Sequence, residues 1–324
     1  MSYHTHCETP GCAFAHLPSD SVPKTHTCPV DQGLLRPDAD RYRCTSGHAY
    51  ARGTHGYWEI ARPGSAALSI QTTSEHCAAV QETGGVHVYD RYLKHWLARH
   101  DARTVLDAGC GIGQDVVEMN RDGFSAVGLD VSSVAGMWSG LGRDAGSFVV
   151  GDVTDLPFPT GHFDAVVSLG VVEHVGTVNG HMTLAPDYRE QRARFAAELE
   201  RVTKPGGRVL IACPNKRFPI DIQHGPNDGL TQPPLRTKIF ERTGMNVHPT
   251  WGRYHLASYA DLHTWFGPNR VRPLPLSGYF GFSALDRSGP LTTLRRAAQA
   301  YVDKLPARLR GTGLNPYVLA EVTC

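Results

Sequence analysis

The residues whose types and spacing could do chemistry fall into three groups. In the first, Gly109, Gly111 and Gly113 follow Val105-Leu106-Asp107, and a stretch with helical character begins near Gln114. Glycines at such a place let the backbone turn tightly and approach a ligand at a helix N-terminus. A dinucleotide-binding turn carries G-x-G-x-x-G there, with a pyrophosphate over it. Here the spacing is G-x-G-x-G around Cys110, and Asp107 stands just before it. A carboxylate would repel a pyrophosphate and attract an amino acid ammonium group. About twenty residues on, Gly128-Leu129-Asp130-Val131 closes a second apolar run, placing Asp130 where it can accept both hydroxyls of a ribose. Gly151-Asp152-Val153 closes a third, and its carboxylate can accept from an adenine amino group. Any one of these aspartates could merely cap a turn. Three successive strand ends with partners for methionine, ribose and adenine, in that order, point to S-adenosylmethionine.

The second group is at the N-terminus. Half of the eight cysteines (Cys7, Cys12, Cys28 and Cys44) precede Tyr57, beside His4, His6, His16, His26, His48 and His55. In a reducing compartment such clustering reads as metal chemistry before disulfides. Cys28-Pro29-Val30-Asp31 and Cys44-Thr45-Ser46-Gly47-His48 form two tight knuckles, each offering two donors to one tetrahedral ion. A structural zinc ion on Cys28, Asp31, Cys44 and His48 is the expectation, because a segment this small cannot otherwise hold a core. Cys7, Cys12 and His16 read as an arm that binds metal adventitiously, with a second site or replacement of Asp31 as the alternatives. Cys77, Cys110, Cys213 and Cys324 are scattered, as small buried residues would be.

The third group follows the fourth and fifth apolar runs: Glu173 and His174, then Asn215, Lys216, Arg217, Asp221 and His224. In an open α/β sheet the ligand lies outside the carboxyl ends of the strands, so these residues would face the transferring methyl. Methyl transfer from a sulfonium is an in-line displacement that needs alignment and removal of the acceptor's proton. His174 is the first candidate for the base because imidazole titrates near neutrality. Glu173, Asp221 and His224 complete the candidate catalytic set.

Elements that could position these groups are legible. Strands are expected at Thr104–Asp107, Ala126–Asp130, Phe148–Asp152, Asp164–Leu169 and Arg208–Ala212, short apolar runs of the kind a buried parallel sheet produces. Tyr188–Val202 carries Phe195, Leu199 and Val202 on one helical face, and Lys204-Pro205-Gly206-Gly207 stops it. An amphipathic helix over Val86–His100 leads in. Pro214 to Trp251 is proline-rich and irregular, as an enclosing loop would be. A helix over Tyr254–Phe266, a strand over Val271–Phe280, a helix over Leu291–Leu305 and a strand over Tyr317–Val322 follow. The organisation is a module over 1–62, a linker and leading helix over 63–102, and an α/β domain over 103–324 with a substrate-side insertion at about 214–253.

Composition excludes some classes. With 32 Lys and Arg against 31 Asp and Glu in 324 residues, the chain lacks the footprint of a protein that binds nucleic acid by neutralising phosphates. No run is apolar enough to cross a membrane, and Met1 to Thr27 is unlike a secretory signal, so the expected location is cytoplasmic. The oligomeric state is not legible.

Over Val105 to Pro214 the sequence resembles the class I methyltransferase family. Asp107-Ala108-Gly109-Cys110-Gly111-Ile112-Gly113 is similar to its first motif, Leu129-Asp130-Val131-Ser132 to its second, and Gly151-Asp152-Val153-Thr154-Asp155-Leu156-Pro157-Phe158 to its third. Phe163-Asp164-Ala165-Val166-Val167-Ser168 with Val172-Glu173-His174-Val175 resembles the fourth, and Arg201-Val202-Thr203-Lys204-Pro205-Gly206-Gly207-Arg208 the exit before the fifth strand. The resemblance implies a doubly wound, seven-stranded Rossmann-like sheet. It also implies S-adenosylmethionine held by Asp107, Gly109, Cys110, Gly111, Gly113, Asp130, Val131, Asp152, Val153 and Ser168. Cys28, Asp31, Cys44 and His48, with Tyr50 and Gly56-Tyr57, resemble the zinc element of bacterial rRNA guanine-N1 methyltransferases, except that Asp31 stands where that pattern has a second cysteine.

The resulting expectation is methyl transfer to oxygen or nitrogen of a small-molecule or saccharide acceptor. An RNA base methyltransferase is the alternative that the zinc element suggests. Against it, acidic and basic side chains are equal in number through Arg62, whereas RNA affinity relies on Lys and Arg contacts to phosphate. A cofactor-binding protein without transfer activity and an NAD-dependent dehydrogenase are the remaining readings.

Overall fold

The structure, a computed structural model, describes residues 25–68, 88–178, 183–221, 223–225, 234–279 and 292–324. Cys7, Cys12 and His16, the linker beyond 68, and parts of the insertion lie outside the described residues. Near the start, β1 (Arg36–Asp38), β2 (Arg41–Arg43) and β3 (Ala49–Ala51) form an antiparallel sheet, and β4 (Trp58–Glu59) follows. A π-type turn over Tyr89–Leu93 runs into α1 (Lys94–Arg99). The main domain then alternates β5 (Thr104–Ala108), α2 (Gln114–Arg121), β6 (Ser125–Asp130), α3 (Ser132–Gly140), β7 (Phe148–Val150) and β8 (Phe163–Leu169). A short pair, β9 (Thr177–Val178) and β10 (Thr183–Leu184), precedes α4 (Tyr188–Val202) and β11 (Thr203–Pro214).

The expected irregular insertion instead contains β12 (Ile220–Asp221), α5 (Pro234–Thr243) and β13 (Asn246–Val247), with β12 and β13 antiparallel. Among the described residues Pro219 precedes β12, Pro234 opens α5 and Pro249 follows β13, places where a missing N–H does no harm. Then come α6 (Tyr259–Phe266), β14 (Val271–Pro273), α7 (Thr292–Asp303) and β15 (Tyr317–Thr323). Helix α6 starts five residues later than the periodicity from Tyr254 suggests, because the Asp261 carboxylate accepts from the N–H and Oγ of Ser258 and fixes the start there. Strand β14 is far shorter than the expected Val271–Phe280. Pro273 and Pro275 cannot donate to a ladder, and a turn follows.

The central sheet is mixed, in the order β14-β15-β11-β8-β5-β6-β7-β4. Strand β15 is antiparallel to both neighbours, and β5, β6, β7, β8 and β11 are parallel. Among the described residues the sheet therefore has eight strands and not seven, because Trp58 and Glu59 pair with Val149 and Val150 at its edge. Each strand feeds both faces. Leu106, Val127, Leu129, Val209 and Ile211 point to the side covered by Phe195 and Leu199 of α4, Leu262 of α6, and Cys28, Leu35 and Tyr42 of the N-terminal segment. Val105, Ala126, Phe148, Leu210 and Leu319 point to the side covered by Trp96, Val116, Met119 and Trp138. Burying one such side chain contributes about 1.5–3 kcal/mol, so both layers are needed to hold the strand ends in place.

Order reverses between β5 and β8, and Asp164 pins that junction from below. Its carboxylate accepts from Arg103 N, Thr104 N, Thr104 Oγ1 and Lys204 Nζ at 2.7–2.9 Å. Partial burial pushes its pKa up, but Lys204 and the N–H donors outweigh that and hold it at about 2. A lowered folded-state value means that the stabilisation is fully present above the ordinary pKa of 3.8 and is lost as pH falls towards 2. Asp164→Asn should therefore cost about 1–2 kcal/mol at pH 6 after allowing for solvent screening. Urea unfolding of both proteins between pH 6 and 2 checks this. The gap should close on acidification, and a gap that does not change with pH would show that the charge is not what holds the junction.

Candidate functional site

Asp107 ends up at the carboxyl end of β5, one residue before the strand closes, and the chain leaves it through Gly109 and Gly113 at φ of 87° and 73°. These conformations are in the left-handed region, and packing adds to the requirement. A Cβ at Gly109 would stand 2.3 Å from Val171 Cγ2, and one at Gly113 2.1 Å from Phe148 Cε1. Asp130 clasps the turn: its Oδ2 accepts from Gly111 N at 2.6 Å and its Oδ1 from Val131 N at 2.7 Å. Trp138 Nε1 donates to Gly111 O at 2.7 Å and Arg143 Nε to Ile112 O at 3.1 Å. Trp138 and Arg143 are contributions that sequence reasoning missed, since nothing marks an interior Trp or loop Arg as partners of a distant turn.

The other cofactor candidates divide. Asp152 lies two residues beyond β7, outside the strand expected to include it, and its Oδ1 accepts from Thr154 N and Oγ1 at 2.8 and 2.7 Å. Its Oδ2 accepts from Ser65 Oγ at 2.6 Å, a partner with no sequence signal. Val153 is partly buried against the core. Ser168 is buried and donates to Ala108 O at 2.8 Å, which ties β8 to β5 at the switch point. Cys110 is partly buried beside Gly128, and burial raises its thiol pKa well above the ordinary value.

Acidic groups are concentrated here. Burial raises the Asp107 carboxyl well above its usual range, and Asp115 and Asp130 add to it. Burial also lifts Asp115 to about 7, aided by Glu118, and raises Asp130 against the pull of its two N–H donors. The pocket end at the glycine turn is thus a negative cradle that a cationic ligand would stabilise.

The third group converges beside it. Val171, which packs on Gly109, begins the turn carrying Glu173 and His174. Asp221 on β12 forms an Asx-type turn, its Oδ1 accepting from Gln223 N at 2.8 Å, and its Oδ2 is 2.7 Å from His224 Nδ1. The rings of His174 and His224 lie 5.3 Å apart, and those of His224 and His255 4.9 Å. Burial raises Glu173 to about 7, opposed chiefly by His224, and burial lowers His255 to about 2. Asn215 does not join them: its amide donates to Thr312 O and Asn315 O, which anchors the end of β11. Sequence reasoning missed His255 and Arg192. Buried Arg192 donates through Nε to Val175 O at 3.0 Å and through Nη2 to Glu173 O at 3.4 Å and His255 O. It staples the Glu173 turn to the loop before α6, a role invisible in a sequence where it reads as one more residue of an amphipathic helix.

In the N-terminal segment the four expected donors do meet. Cys28 Sγ and Cys44 Sγ lie 3.5 and 3.3 Å from His48 Nδ1, and Asp31 Oδ2 lies 3.4 Å from both Cys44 Sγ and His48 Nδ1. A tetrahedral ion with bonds of about 2.0–2.3 Å separates its ligands by about 3.3–3.8 Å. Tyr50 Oη at 3.1 Å from Cys28 Sγ supports the knuckle from behind.

Residues 106–211 match the family described as a methyltransferase domain. A protein of Oryza sativa subsp. japonica named as a probable tocopherol O-methyltransferase is 36% identical over 121 residues, 35% of this chain and 30% of that one. A Mycolicibacterium smegmatis protein named as a probable S-adenosylmethionine-dependent methyltransferase is 25% identical over 193 residues, 53% of this chain and 68% of that one. The chain thus spans about a third of the rice relative's length. Among solved structures, a SAM-dependent methyltransferase from Archaeoglobus fulgidus aligns with a TM-score of 0.41 and 16% identity over 77% of this chain and 100% of that one. Residues 106–211 are thus similar to a methyltransferase domain, and the relatives that match this part of the chain are named as methyltransferases.

Proposed function

We propose that the chain transfers the methyl group of S-adenosylmethionine to oxygen or nitrogen of a small-molecule or saccharide acceptor. The observation that carries this is the contact of Val171 with Gly109, which sets the Glu173, His174, Asp221 and His224 cluster directly beside the negative glycine turn. The cofactor, when bound, supplies an electrophilic methyl on a sulfonium whose sulfur keeps the bonding electrons. Asp107 meets the ammonium group, Asp130 the ribose hydroxyls, and Asp152 the adenine edge, while Gly109, Gly111 and Gly113 allow close approach. The acceptor lies over Glu173 and His174, and its proton passes to the histidines. Burial lowers the pKa of His224, but Asp221, 2.7 Å from its Nδ1, orients that ring and, with Glu173, raises the value overall, so the ring accepts a proton through Nε2 only above the raised value. His174 sits beside it. The insertion, which supplies Asp221 and His224, forms the outer wall and excludes water from the reaction. A small-molecule acceptor accords with the name of the rice relative, a tocopherol O-methyltransferase.

We propose further that Cys28, Asp31, Cys44 and His48 hold a structural zinc ion. The separations of their donor atoms fit a tetrahedral site, and Asp31 in place of a thiolate should weaken it.

Transfer of labelled methyl into extracts separated into RNA, protein and small-molecule fractions tests the first proposal. Label should enter the small-molecule fraction, and label confined to RNA would overturn the acceptor class. In the same assay system, Asp130→Ala should weaken cofactor binding by about 1.5–3 kcal/mol, the range for hydrogen bonds to a charged group. Unchanged affinity would remove Asp130 from the ligand's contacts.

Metal analysis of the purified chain tests the second. About one zinc per chain should be lost in the Cys28→Ser, Cys44→Ser double variant, and full zinc retention in that variant would refute the assignment.

A further inference from the structure

A second cluster of donors lies well away from the cysteine knuckles. One ligand atom each from Glu173, His174 and His224 lie within 4.8 Å of one another, and so do those of Asp221, His224 and His255. Glu173 and His255 are 1% and 0% exposed. Glu173 Oε2 and both ring nitrogens of His255 are buried without a hydrogen-bond partner. Burying such groups unsatisfied costs about 1–3 kcal/mol each, and these two residues belong one to each of the two groups, which share His224, so both are open to something that satisfies them.

We propose that this cluster binds one divalent transition-metal ion, with Glu173, His174 and His224 as ligands and His255 as a further nitrogen donor. Two carboxylates and three imidazoles make the pocket electron-rich. The Arg192 guanidinium, bonded to the carbonyls of Val175, Glu173 and His255, offsets part of that charge. That staple also fixes the ligands, because it joins the two loops that present Glu173 and His255. Asp221 takes the place of the outer carboxylate that orients a metal-bound histidine: it holds Nδ1 of His224 at 2.7 Å and leaves Nε2 for the ion. Mixed imidazole and carboxylate donors select zinc, iron(II), manganese(II) or cobalt(II) over calcium and magnesium, which prefer oxygen alone. An ion here could hold an acceptor oxygen and ease loss of its proton. The inference rests on the proposed transfer only for that use, and binding itself does not depend on it.

The test uses the full chain, stripped with chelator and dialysed against manganese(II) and, separately, cobalt(II). Manganese disfavours thiolate and reports the new site. Cobalt fills both sites, and only the cysteine-containing one gives sulfur-to-cobalt charge-transfer absorption. The expected result is about two cobalt ions per chain, one of them without that absorption and retained in Cys28→Ser, Cys44→Ser. Manganese binding should fall at least tenfold in His224→Gln and about 10–100-fold in Asp221→Asn, whose shape is conserved. Both should keep cofactor affinity, which shows that they fold, and His255→Asn serves if either does not. One cobalt only, all of it thiolate-bound, or manganese affinity unchanged in these variants, overturns the inference. Methyl transfer without metal binding would sink this inference and leave the transfer reading intact. Metal binding without any transfer would do the reverse.

Discussion

Three carboxylates stand together around the glycine turn, Asp107 buried near the end of β5, Asp130 half-buried at the end of β6 and Asp115 half-buried in the first turn of α2. Like charges so placed resist ionisation, and the resulting energy is available to any cation that enters. Everything around them serves to keep them there. Both layers of the core fix the strand ends, Asp130 turns its oxygens on Gly111 and Val131 N–H groups, and Trp138 and Arg143 hold the carbonyls on the opposite side of the glycine turn. Under the proposed function this arrangement is the cradle for a ligand bearing ammonium and sulfonium charges.

The second half of the pocket is held by different forces. Asp221 and His224 come from the insertion, His255 from the loop before α6, and Glu173 and His174 from the turn after β8, so three separate segments must be brought to one place. Arg192 does much of this through backbone carbonyls alone. The N-terminal segment also reaches the site's rim. Strand β4 extends the sheet beside β7, Ser65 donates to Asp152, and Tyr57 donates to the carbonyl of Arg143, whose side chain supports the glycine turn.

What was legible in the sequence, and what was not, follows from range. Strands β5, β6 and β8 and helix α4 could be read because buried parallel strands are apolar runs and because α4 shows one apolar face. The convergence of Cys28, Asp31, Cys44 and His48 was readable because both knuckles are local. Two-residue strands such as β4 and β12 carry no periodic signal, and their pairing is set by docking. His255 and Arg192 gain their meaning from residues dozens of positions away. The start of α6 was available in principle, since Ser258-x-x-Asp261 is a local capping pattern, but the apolar residues before it masked it.

The central claim is that the acids around the glycine turn are built for a cationic ligand, and calorimetry of S-adenosylmethionine binding in two buffers of different ionisation enthalpy tests it most directly. Asp115 stands at about 7, and Asp107 well above its ordinary range, so below neutrality the free protein holds protons that an arriving cation should expel. The predicted result is binding with net proton release of up to roughly one at pH 6, declining as pH rises past about 7. Binding enthalpies that are the same in both buffers at every pH, or no binding at all, would contradict the account.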